Sequence, residues 1–349
     1  MLSKSSRIRV LVVDDSAFAR KVLRQALEVQ PNIEVVGIAA DGLEALEKIG
    51  VLAPDVITLD LVMPHLDGIG VLRELAKVAA APRVVVVSFS AEESELVVEA
   101  LQSGAIDFLK KPTALATDRL YELSEELVAK VVAAAGARAP SVPPAASAAA
   151  PAASPVRLPT QRKLLVIGTS TGGPQALTRL LGMLPQSFPI PVAIALHIPE
   201  EYTGSLAKRL DGACSLHVVE ASEGLELKPG LVVLAKGGLN LELERQGQRT
   251  LARLTPQRGS SLYVPSVNLL FESAARAWGA GAMGAVLTGM GDDGLEGSRA
   301  LVAAGGQVLT ESESTSVIYG MPRCVREAGL AVEEAPLEEL AAAIVRRLV

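Results

Sequence analysis

A segment built almost entirely of alanine, proline and serine, residues 136–160, divides the chain into two parts. It carries six prolines, and proline both interrupts helices and removes a backbone donor that a sheet requires. Such a segment is predicted to be a linker, with a root-mean-square span of about 27 Å if it is flexible. Since 49% of the 349 residues are hydrophobic, each part can bury a core of its own. We therefore predict one domain over residues 7–135 and a second over residues 161–349.

Short β-branched and aliphatic runs alternate with amphipathic segments on both sides of the linker. This alternation is typical of parallel sheets covered by helices. The first part contains five such units, which predicts a flavodoxin-like (βα)5 α/β fold. The second part predicts another doubly wound, mostly parallel α/β domain. The predicted strands are Val10–Val13, Val35–Ile38, Val56–Leu59, Val84–Val87 and Ile106–Leu109, then Leu164–Ile167, Val192–Leu196, Leu231–Leu234, Ala285–Leu287 and Gln307–Leu309.

Charge and hydropathy exclude several classes of partner. The formal net charge is −6 and the basic residues are scattered, so no nucleic acid partner is predicted. No apolar run approaches the roughly 20 residues of a membrane helix, and Met1–Arg9 lacks the apolar core of a signal peptide. We expect a cytoplasmic protein that does not insert directly into a membrane. Cys214 and Cys324 lack the spacing of a disulfide framework or a metal site, and both are predicted to be reduced packing residues.

Polar residues follow four of the predicted strands in the first part. Because the carboxyl ends of parallel strands meet at one edge, these side chains are expected to converge there. A single aspartate after a strand is more often a helix cap, but the whole set weighs against that interpretation. Converging carboxylates favour a hard cation such as Mg²⁺, and a carboxylate beside a cation can attack a phosphoryl donor. The set consists of Asp14, Asp15, Asp60, Ser88 and Lys111, with Asp60 as the expected nucleophile.

A serine and a histidine stand at comparable strand ends in the second part. Ser170 lies in a Gly-rich turn, residues 168–174, which is neither the usual Gly-x-Ser-x-Gly elbow nor a P-loop. Taken alone, this turn would fit phosphate binding equally well. The chain has three histidines: His65 belongs to the other part, where it is predicted to be on the surface, and His217 lies inside a strand-like alternation. His197 therefore remains as the candidate general base for Ser170.

A third strand end supplies carboxylates. Asp292 and Asp293 follow it, and either could orient an imidazole and stabilise its protonated form. Glycines flank Met290 in the same loop and leave backbone N–H groups free to bind a developing oxyanion. Met290 and Thr171 are the candidates for that contact. The residues thus predict a serine hydrolase.

Residues 7–135 resemble the response-regulator receiver family. The resemblance implies Mg²⁺ held by Asp14, Asp15, Asp60 and the Val62 carbonyl, phosphorylation of Asp60 by a histidine kinase, and a receiver switch at Ser88 and Lys111. It also implies a cis bond before Pro112. The motifs are Val13-Asp14-Asp15-Ser16, Leu59–Pro64 with Asp67-Gly68, Ser88, and Lys111-Pro112.

The second part resembles the catalytic domain of the chemotaxis protein-glutamate methylesterases, the CheB family. The resemblance implies that Ser170 is the nucleophile, His197 the base and Asp293 the residue that orients it, with no cofactor in this domain. It implies hydrolysis of glutamate γ-methyl esters on methyl-accepting chemoreceptors, with inhibition by the receiver until phosphorylation; the same chemistry could deamidate glutamine. The motifs are Gly168–Pro174, His197-Ile198-Pro199, Thr288–Gly294 and Ser316–Arg323.

Four positions depart from the residues usual in that family: Lys236, Asn240, Val264 and Asn268. They affect the expected receptor recognition rather than the expected triad. Two alternatives stay open at this point. One is a receiver-controlled hydrolase of another ester or amide, and the other is a non-catalytic interaction module whose triad is vestigial.

Overall fold

The computed structural model describes residues 7–88, 93–111, 117–137, 162–257 and 263–348, with residues 117–123 described as backbone only. The chain divides into two compact units, Met1–Ala139 and Pro140–Val349. Most of the predicted linker lies outside the described residues, as does the bond predicted to be cis before Pro112. The domain boundaries stay predictions.

The first unit is a five-stranded parallel sheet in the order β2-β1-β3-β4-β5. This is the flavodoxin-like order, and the predicted (βα)5 fold is confirmed. Its strands are β1 Ile8–Val13, β2 Ile33–Ala39, β3 Val56–Leu59, β4 Arg83–Ser88 and β5 Asp107–Lys110. Its helices are α1 Ala17–Glu28, α2 Gly42–Leu52, α3 Gly68–Leu75, α4 Ser94–Gln102 and α5 Thr117–Gly136.

Side-chain caps fix where the first three helices of this unit begin. Ser16, Asp41 and Asp67 each accept a hydrogen bond from a backbone amide in the first turn of the helix that follows. At α2 the cap is reciprocal, because Glu44 also accepts from the amide of Ala40 at 2.6 Å. Each cap stabilises its helix by about 1 kcal/mol, so the chain turns sharply from strand end to helix at these points.

The second unit contains a seven-stranded sheet in the order β15-β14-β13-β6-β7-β10-β8. Its described strand pairs are all parallel, and a small antiparallel sheet, β11-β12-β9, lies beside it. The strands are β6 Leu164–Thr169, β7 Val192–Leu196, β8 His217–Glu220, β9 Glu226–Leu227, β10 Leu231–Leu234, β11 Asn240–Gln246, β12 Arg249–Thr255, β13 Ala282–Val286, β14 Gln307–Glu311 and β15 Ala331–Ala335. The helices are α6 Gly173–Met183, α7 Glu200–Ala213, α8 Val267–Trp278, α9 Leu295–Ala303, α10 Met321–Glu327 and α11 Leu337–Arg346. The predicted mostly parallel α/β architecture is confirmed.

The strand order reverses between β6 and β13. From β6 the chain builds outward through β7, and it later returns to place β13 on the other side of β6. A crevice opens where connections diverge in this way, at the carboxyl ends of the strands. Both strands are fully buried, and α8 packs its apolar face, including Leu270 and Phe271, into the adjoining core. The strands on either side of the switch point are therefore held in place by the packed core.

The hairpin of β11 and β12 was not predicted. Its residues alternate apolar and charged side chains, with Leu241 and Leu243 buried and Glu244 facing outward. The amide of Leu243 donates to the Ser273 hydroxyl of α8 at 3.0 Å, so the hairpin lies against that helix.

Two further expectations concern cysteine and membrane segments. Cys214 and Cys324 are both free and half-buried, and burial raises the pKa of the Cys214 thiol. Among the described residues, no helix combines the length and the apolar character that crossing a membrane requires.

Candidate catalytic and phosphorylation sites

Ser170 is the first residue after β6, the strand beside the switch point. Its amide donates to the carbonyl of Thr288 at 3.1 Å, which ties the serine turn to the loop after β13. Gly289 allows this close approach, because a Cβ there would lie 2.9 Å from the Cβ of Ser170 and 2.3 Å from the sulfur of Met321. The two loops therefore pack against each other directly at the serine.

His197 stands one strand away from Ser170. Strands β6 and β7 pair Thr169 with Leu196, so the next residue of each strand, serine and histidine respectively, leaves the same sheet edge. The backbone amide of His197 donates to the Thr169 carbonyl at 3.3 Å. The register of the parallel pair thus places the candidate base and the candidate nucleophile on neighbouring strands.

The two ring nitrogens of His197 have different surroundings. Nε2 lies 2.8 Å from Oδ2 of Asp293. Nδ1 is buried and has no hydrogen-bond partner within the described part of the chain. A carboxylate at Nε2 holds the proton there, so Nδ1 carries the lone pair. The serine hydroxyl is not yet bonded to Nδ1, and such contacts commonly close only when substrate binds.

Asp293 is 3% exposed and accepts hydrogen bonds at both oxygens. Its donors besides His197 are the Ser266 hydroxyl at 3.1 Å and the amides of Val267 at 2.7 Å and Asn268 at 2.9 Å. These amides form the amino terminus of α8, where the helix dipole favours negative charge. Burial alone would raise the pKa of Asp293, but the bonds from His197 and from these amides outweigh it and lower the pKa. The carboxylate is therefore ionised and held rigidly.

The other candidates in this region have distinct positions. Met290 is 42% exposed in the loop after β13. Thr171 follows the serine, and its carbonyl accepts from the Thr288 hydroxyl at 2.9 Å. His65 and His217 have side chains 66% and 68% exposed, so the surface prediction for His65 is confirmed. Of the three histidines, only His197 contacts a buried carboxylate.

The first unit gathers its candidate residues at the carboxyl ends of β1, β3, β4 and β5. Carboxylate oxygens of Asp14, Asp15 and Asp60 all lie within 4.8 Å of one another. The Lys111 ammonium is 2.6 Å from Oδ2 of Asp14 and 2.7 Å from Oδ2 of Asp60. Burial raises the pKa of Asp60, Lys111 opposes this rise, and Asp14 adds to it. An oxygen-rich cluster of this kind fits a hard divalent cation.

Two further receiver residues complete this edge. The amide of Val62 donates to Oδ1 of Asp60 at 3.3 Å, which places residue 62 directly beside the aspartate. Ser88 is fully buried, and its hydroxyl donates to Glu93. The Ser88 hydroxyl is thus bonded to the residue that precedes α4.

Comparison with known proteins identifies the family. Residues 165–344 match the family model described as CheB methylesterase, and residues 10–123 match the response regulator receiver domain model. A protein-glutamate methylesterase/protein-glutamine glutaminase of Myxococcus xanthus (strain DK1622) is 62% identical over 343 residues, which cover 98% of this chain and 99% of that relative. The chain belongs to the CheB methylesterase family.

Another full-length relative and a solved catalytic domain are also similar to this chain. A protein-glutamate methylesterase/protein-glutamine glutaminase of Geobacter sulfurreducens is 39% identical, over 99% of this chain and 98% of that relative. The crystal structure of the Thermotoga maritima CheB methylesterase catalytic domain superposes with a TM-score of 0.52 at 36% identity, covering 53% of this chain and 98% of that one. Family membership makes this chain a carboxylic ester hydrolase joined to a receiver domain.

Asn240 and Asn268, two of the four positions singled out in the sequence, lie beside the segments that hold Asp293. Asn240 is fully buried; its amide group donates to the Pro256 carbonyl at 3.2 Å, and its oxygen accepts from the amide of Ser266 at 2.9 Å. Asn268 accepts from the amides of Gly294 and Gly297 at 2.9 and 2.8 Å. Both asparagines thus brace the segments that hold Asp293. Their side chains are occupied by the protein's own backbone.

The remaining two departures lie in other segments. The ammonium of Lys236 is 3.0 Å from Glu200 at the start of α7, which directly follows the His197 segment. Val264 precedes Pro265 through a cis bond just before α8. Any effect of these four positions on substrate choice stays a prediction.

Sequence reasoning missed a buried acid beneath the catalytic loops. Glu311 ends β14 with no exposure and accepts from the amide of Thr288 at 2.8 Å. The carbonyl of Thr288 in turn accepts from the Ser170 amide and from the Thr169 hydroxyl, the latter at 2.7 Å. A single acid at the end of an apolar strand is the only sequence signal for this arrangement. Glu311 thus supports the backbone that positions the nucleophile.

Replacing Glu311 with glutamine is expected to make the stability of the catalytic unit less dependent on pH. Burial raises the pKa of Glu311 above its ordinary value of 4.5, although bonds from Thr288 and Thr315 partly offset the rise. A carboxyl with a higher pKa in the folded state contributes stability below its unfolded pKa, and this contribution is lost as pH rises through the folded pKa. Glutamine keeps an oxygen for the Thr288 amide and carries no charge.

Calorimetric unfolding at several pH values measures this effect. The gain in unfolding temperature from Glu311→Gln should be larger at pH 8 than at pH 5. The exposed Glu327→Gln is the matched control and should show no such trend. An equal gain at both pH values would contradict the prediction.

Proposed function

We propose that this chain hydrolyses glutamate γ-methyl esters, and deamidates glutamine side chains, on methyl-accepting chemoreceptors under the control of phosphorylation at Asp60. The observation that carries the proposal is the pairing of His197 Nε2 with buried Asp293, which leaves a basic Nδ1 at the edge where Ser170 emerges. The names of the relatives support both the ester and the amide substrate.

The first half of the reaction forms an acyl-enzyme. Oγ of Ser170 attacks the γ-carbonyl carbon of the glutamyl ester while its proton passes to Nδ1 of His197. Asp293 stabilises the resulting imidazolium through Nε2. The carbonyl oxygen becomes an oxyanion, for which the amides of Met290 and Thr171 are the proposed donors. The intermediate then collapses, the C–O bond to the methoxy group breaks, and the proton on Nδ1 leaves with methanol.

The second half regenerates the serine. A water molecule gives a proton to Nδ1 and attacks the acyl carbon, and the new intermediate expels the serine oxygen, which recovers that proton. The products are a glutamate carboxyl group and free enzyme. With a glutamine substrate the same steps release ammonia in place of methanol.

Control by the receiver follows from its acidic cluster. Asp60 accepts a phosphoryl group from a histidine kinase, with Lys111 and Ser88 contacting the transferred group. Mg²⁺ held by Asp14, Asp15, Asp60 and the Val62 carbonyl would neutralise charge on the phosphoryl oxygens. The predicted linker would keep the receiver at an effective concentration of about 1 mM, so even a weak inhibitory interaction would suffice.

Methanol release from a methylated receptor fragment, with and without a small acyl phosphate as phosphodonor and Mg²⁺, tests this proposal. The wild-type rate is expected to rise when the donor is added. Asp60→Asn should give the same rate with and without donor, because its amide cannot accept a phosphoryl group. The exposed Glu34→Gln, a charge-matched change in the same unit, should keep the stimulation. Stimulation of Asp60→Asn equal to that of the wild type would contradict the role of Asp60.

A further inference from the structure

An aromatic ring covers one face of the catalytic imidazole. The rings of Tyr263 and His197 are stacked, with centroids 4.2 Å apart and planes inclined by 2°. Asp293 holds the edge of the imidazole at Nε2, and Tyr263 holds its face. An imidazole fixed at one edge and one face has little freedom to rotate about its χ angles. These two contacts thereby fix the direction in which Nδ1 points.

The same tyrosine reaches the loop that carries the proposed oxyanion donor. A Cβ on Gly291 would lie 2.9 Å from the Tyr263 hydroxyl oxygen, so the phenol packs against that backbone. Gly291 has a φ of +86°, a conformation that other residues rarely adopt. Met290, the proposed donor, is the preceding residue. One side chain thus contacts both the general base and the oxyanion loop.

The segment after the tyrosine holds the third member of the triad. Tyr263 is separated by two residues from Ser266, whose hydroxyl bonds Asp293, and the amides of Val267 and Asn268 bond the same carboxylate. Residues 263–268 therefore supply the ring that stacks on His197 and the donors that fix Asp293. The relative position of imidazole and carboxylate depends on this one segment.

The phenol of Tyr263 carries no charge where it stacks on His197. Burial raises the pKa of Tyr263, and the nearby charges of Asp292 and Asp293 add to the rise, so the phenol stays neutral. A neutral aromatic face attracts a cation lying over it. The imidazolium that forms when His197 takes a proton is such a cation. The stack therefore places a neutral aromatic face against the ring that carries the positive charge during the reaction.

We propose that Tyr263 is a positioning residue of the methylesterase reaction, whose ring holds His197 with Nδ1 directed at Ser170. This inference rests on the proposed function and deepens it. The ring, rather than the hydroxyl, carries the effect, so phenylalanine should substitute for tyrosine and aliphatic residues should not. Because misplacement of a catalytic group by about 1 Å can cost 10²-fold, we expect a loss of about 10- to 100-fold in kcat without the ring.

Steady-state methanol release by the full chain, with phosphodonor present, gives the first readout. Tyr263→Leu and Tyr263→Met should each lower kcat about 10- to 100-fold and change KM less than about threefold, because substrate binding does not require the imidazole to be aligned. Tyr263→Phe should stay within about threefold of the wild type. The rate at which a fluorophosphonate labels Ser170 should follow the same order, and this readout does not depend on the receptor substrate.

Proton NMR of the histidine rings gives the second readout. A stacked aromatic ring shifts the His197 ring protons upfield, and the shift should persist in Tyr263→Phe and vanish in the two aliphatic variants. The exposed His65 and His217 serve as internal references. This shift reports the stack itself, whereas kcat and the labelling rate report whether the stack matters to the base; a merely structural role would leave both rates near wild type in a folded aliphatic variant. Thermal unfolding confirms that each variant is folded at the assay temperature.

The outcomes separate the inference from the proposed function. Wild-type kcat in both aliphatic variants, or an equal loss in Tyr263→Phe, would overturn the role of the ring. If the wild type labels with the fluorophosphonate but releases no methanol, the proposed substrate fails. The labelling rates and ring shifts then still decide the inference about Tyr263.

Discussion

Replacing Ser170 with alanine is expected to lower methanol release from a methylated receptor fragment about 10⁵-fold, since loss of a serine nucleophile typically costs 10⁵–10⁶ in kcat. The turn around Ser170 should stay intact, because its contacts to the Thr288 carbonyl and to Gly289 involve the backbone and Cβ, which alanine keeps. The change therefore removes the attacking oxygen and little else.

The matched control for this variant is Ser222→Ala, an exposed serine of the same unit. It should release methanol at the wild-type rate, and both variants should unfold at the wild-type temperature. Undiminished release by Ser170→Ala would end the serine hydrolase mechanism. A fluorophosphonate that labels the wild type but not Ser170→Ala would exclude a vestigial triad, and a panel of other esters and amides would test for a different substrate.

Replacing Asp293 with asparagine is expected to lower kcat about 10⁴-fold, as the corresponding change does in serine proteases. An amide nitrogen facing His197 would donate to Nε2 and move the ring proton to Nδ1. Nδ1 could then no longer accept the proton of Ser170. Both carboxylate oxygens of Asp293 now accept hydrogen bonds from Ser266, Val267 and Asn268. The NH2 group of asparagine would replace one of these acceptors with a donor, so some loss of stability should accompany the loss of rate.

Asp292 offers the control for this experiment. It is the neighbouring residue, it is exposed, and the same substitution removes the same charge. Asp292→Asn should retain kcat within about threefold if position in the triad, rather than charge near the loop, determines the rate. Comparable losses in the two variants would mean that the loop charge matters and that Asp293 has no special role.

The receiver fold could be predicted closely because most of its strands are short and rich in β-branched residues, and because capping residues precede its first three helices. The five predicted strands differ from the observed ones by at most two residues at either end. In the second unit five parallel strands were predicted, whereas β15, a parallel strand at the edge of the sheet, and the β11–β12 hairpin were not. The charged residues of the hairpin are typical of a solvent-exposed segment. Only the structure shows that α8 covers the apolar residues that alternate with them.

The candidate triad could be reduced to a few residues because strand ends and scarce histidines limit the choice. The residues alone left Asp292 and Asp293 as alternatives, and the resemblance selected Asp293. The structure buries Asp293 and exposes Asp292. Tyr263 and Glu311 could not have been found in this way. Each acts through a contact between segments far apart in the chain. Glu311 does stand at a strand end, but its bond to the Thr288 amide is visible only in the structure, and Tyr263 stands at no strand end.

The orientation of His197 affects how the enzyme could be inhibited. In the chymotrypsin type of triad the outer ring nitrogen, Nε2, faces the serine. Here that nitrogen is engaged by Asp293, and the nitrogen nearer the main chain is unbonded. A compound that targets the base would therefore have to reach Nδ1 rather than Nε2.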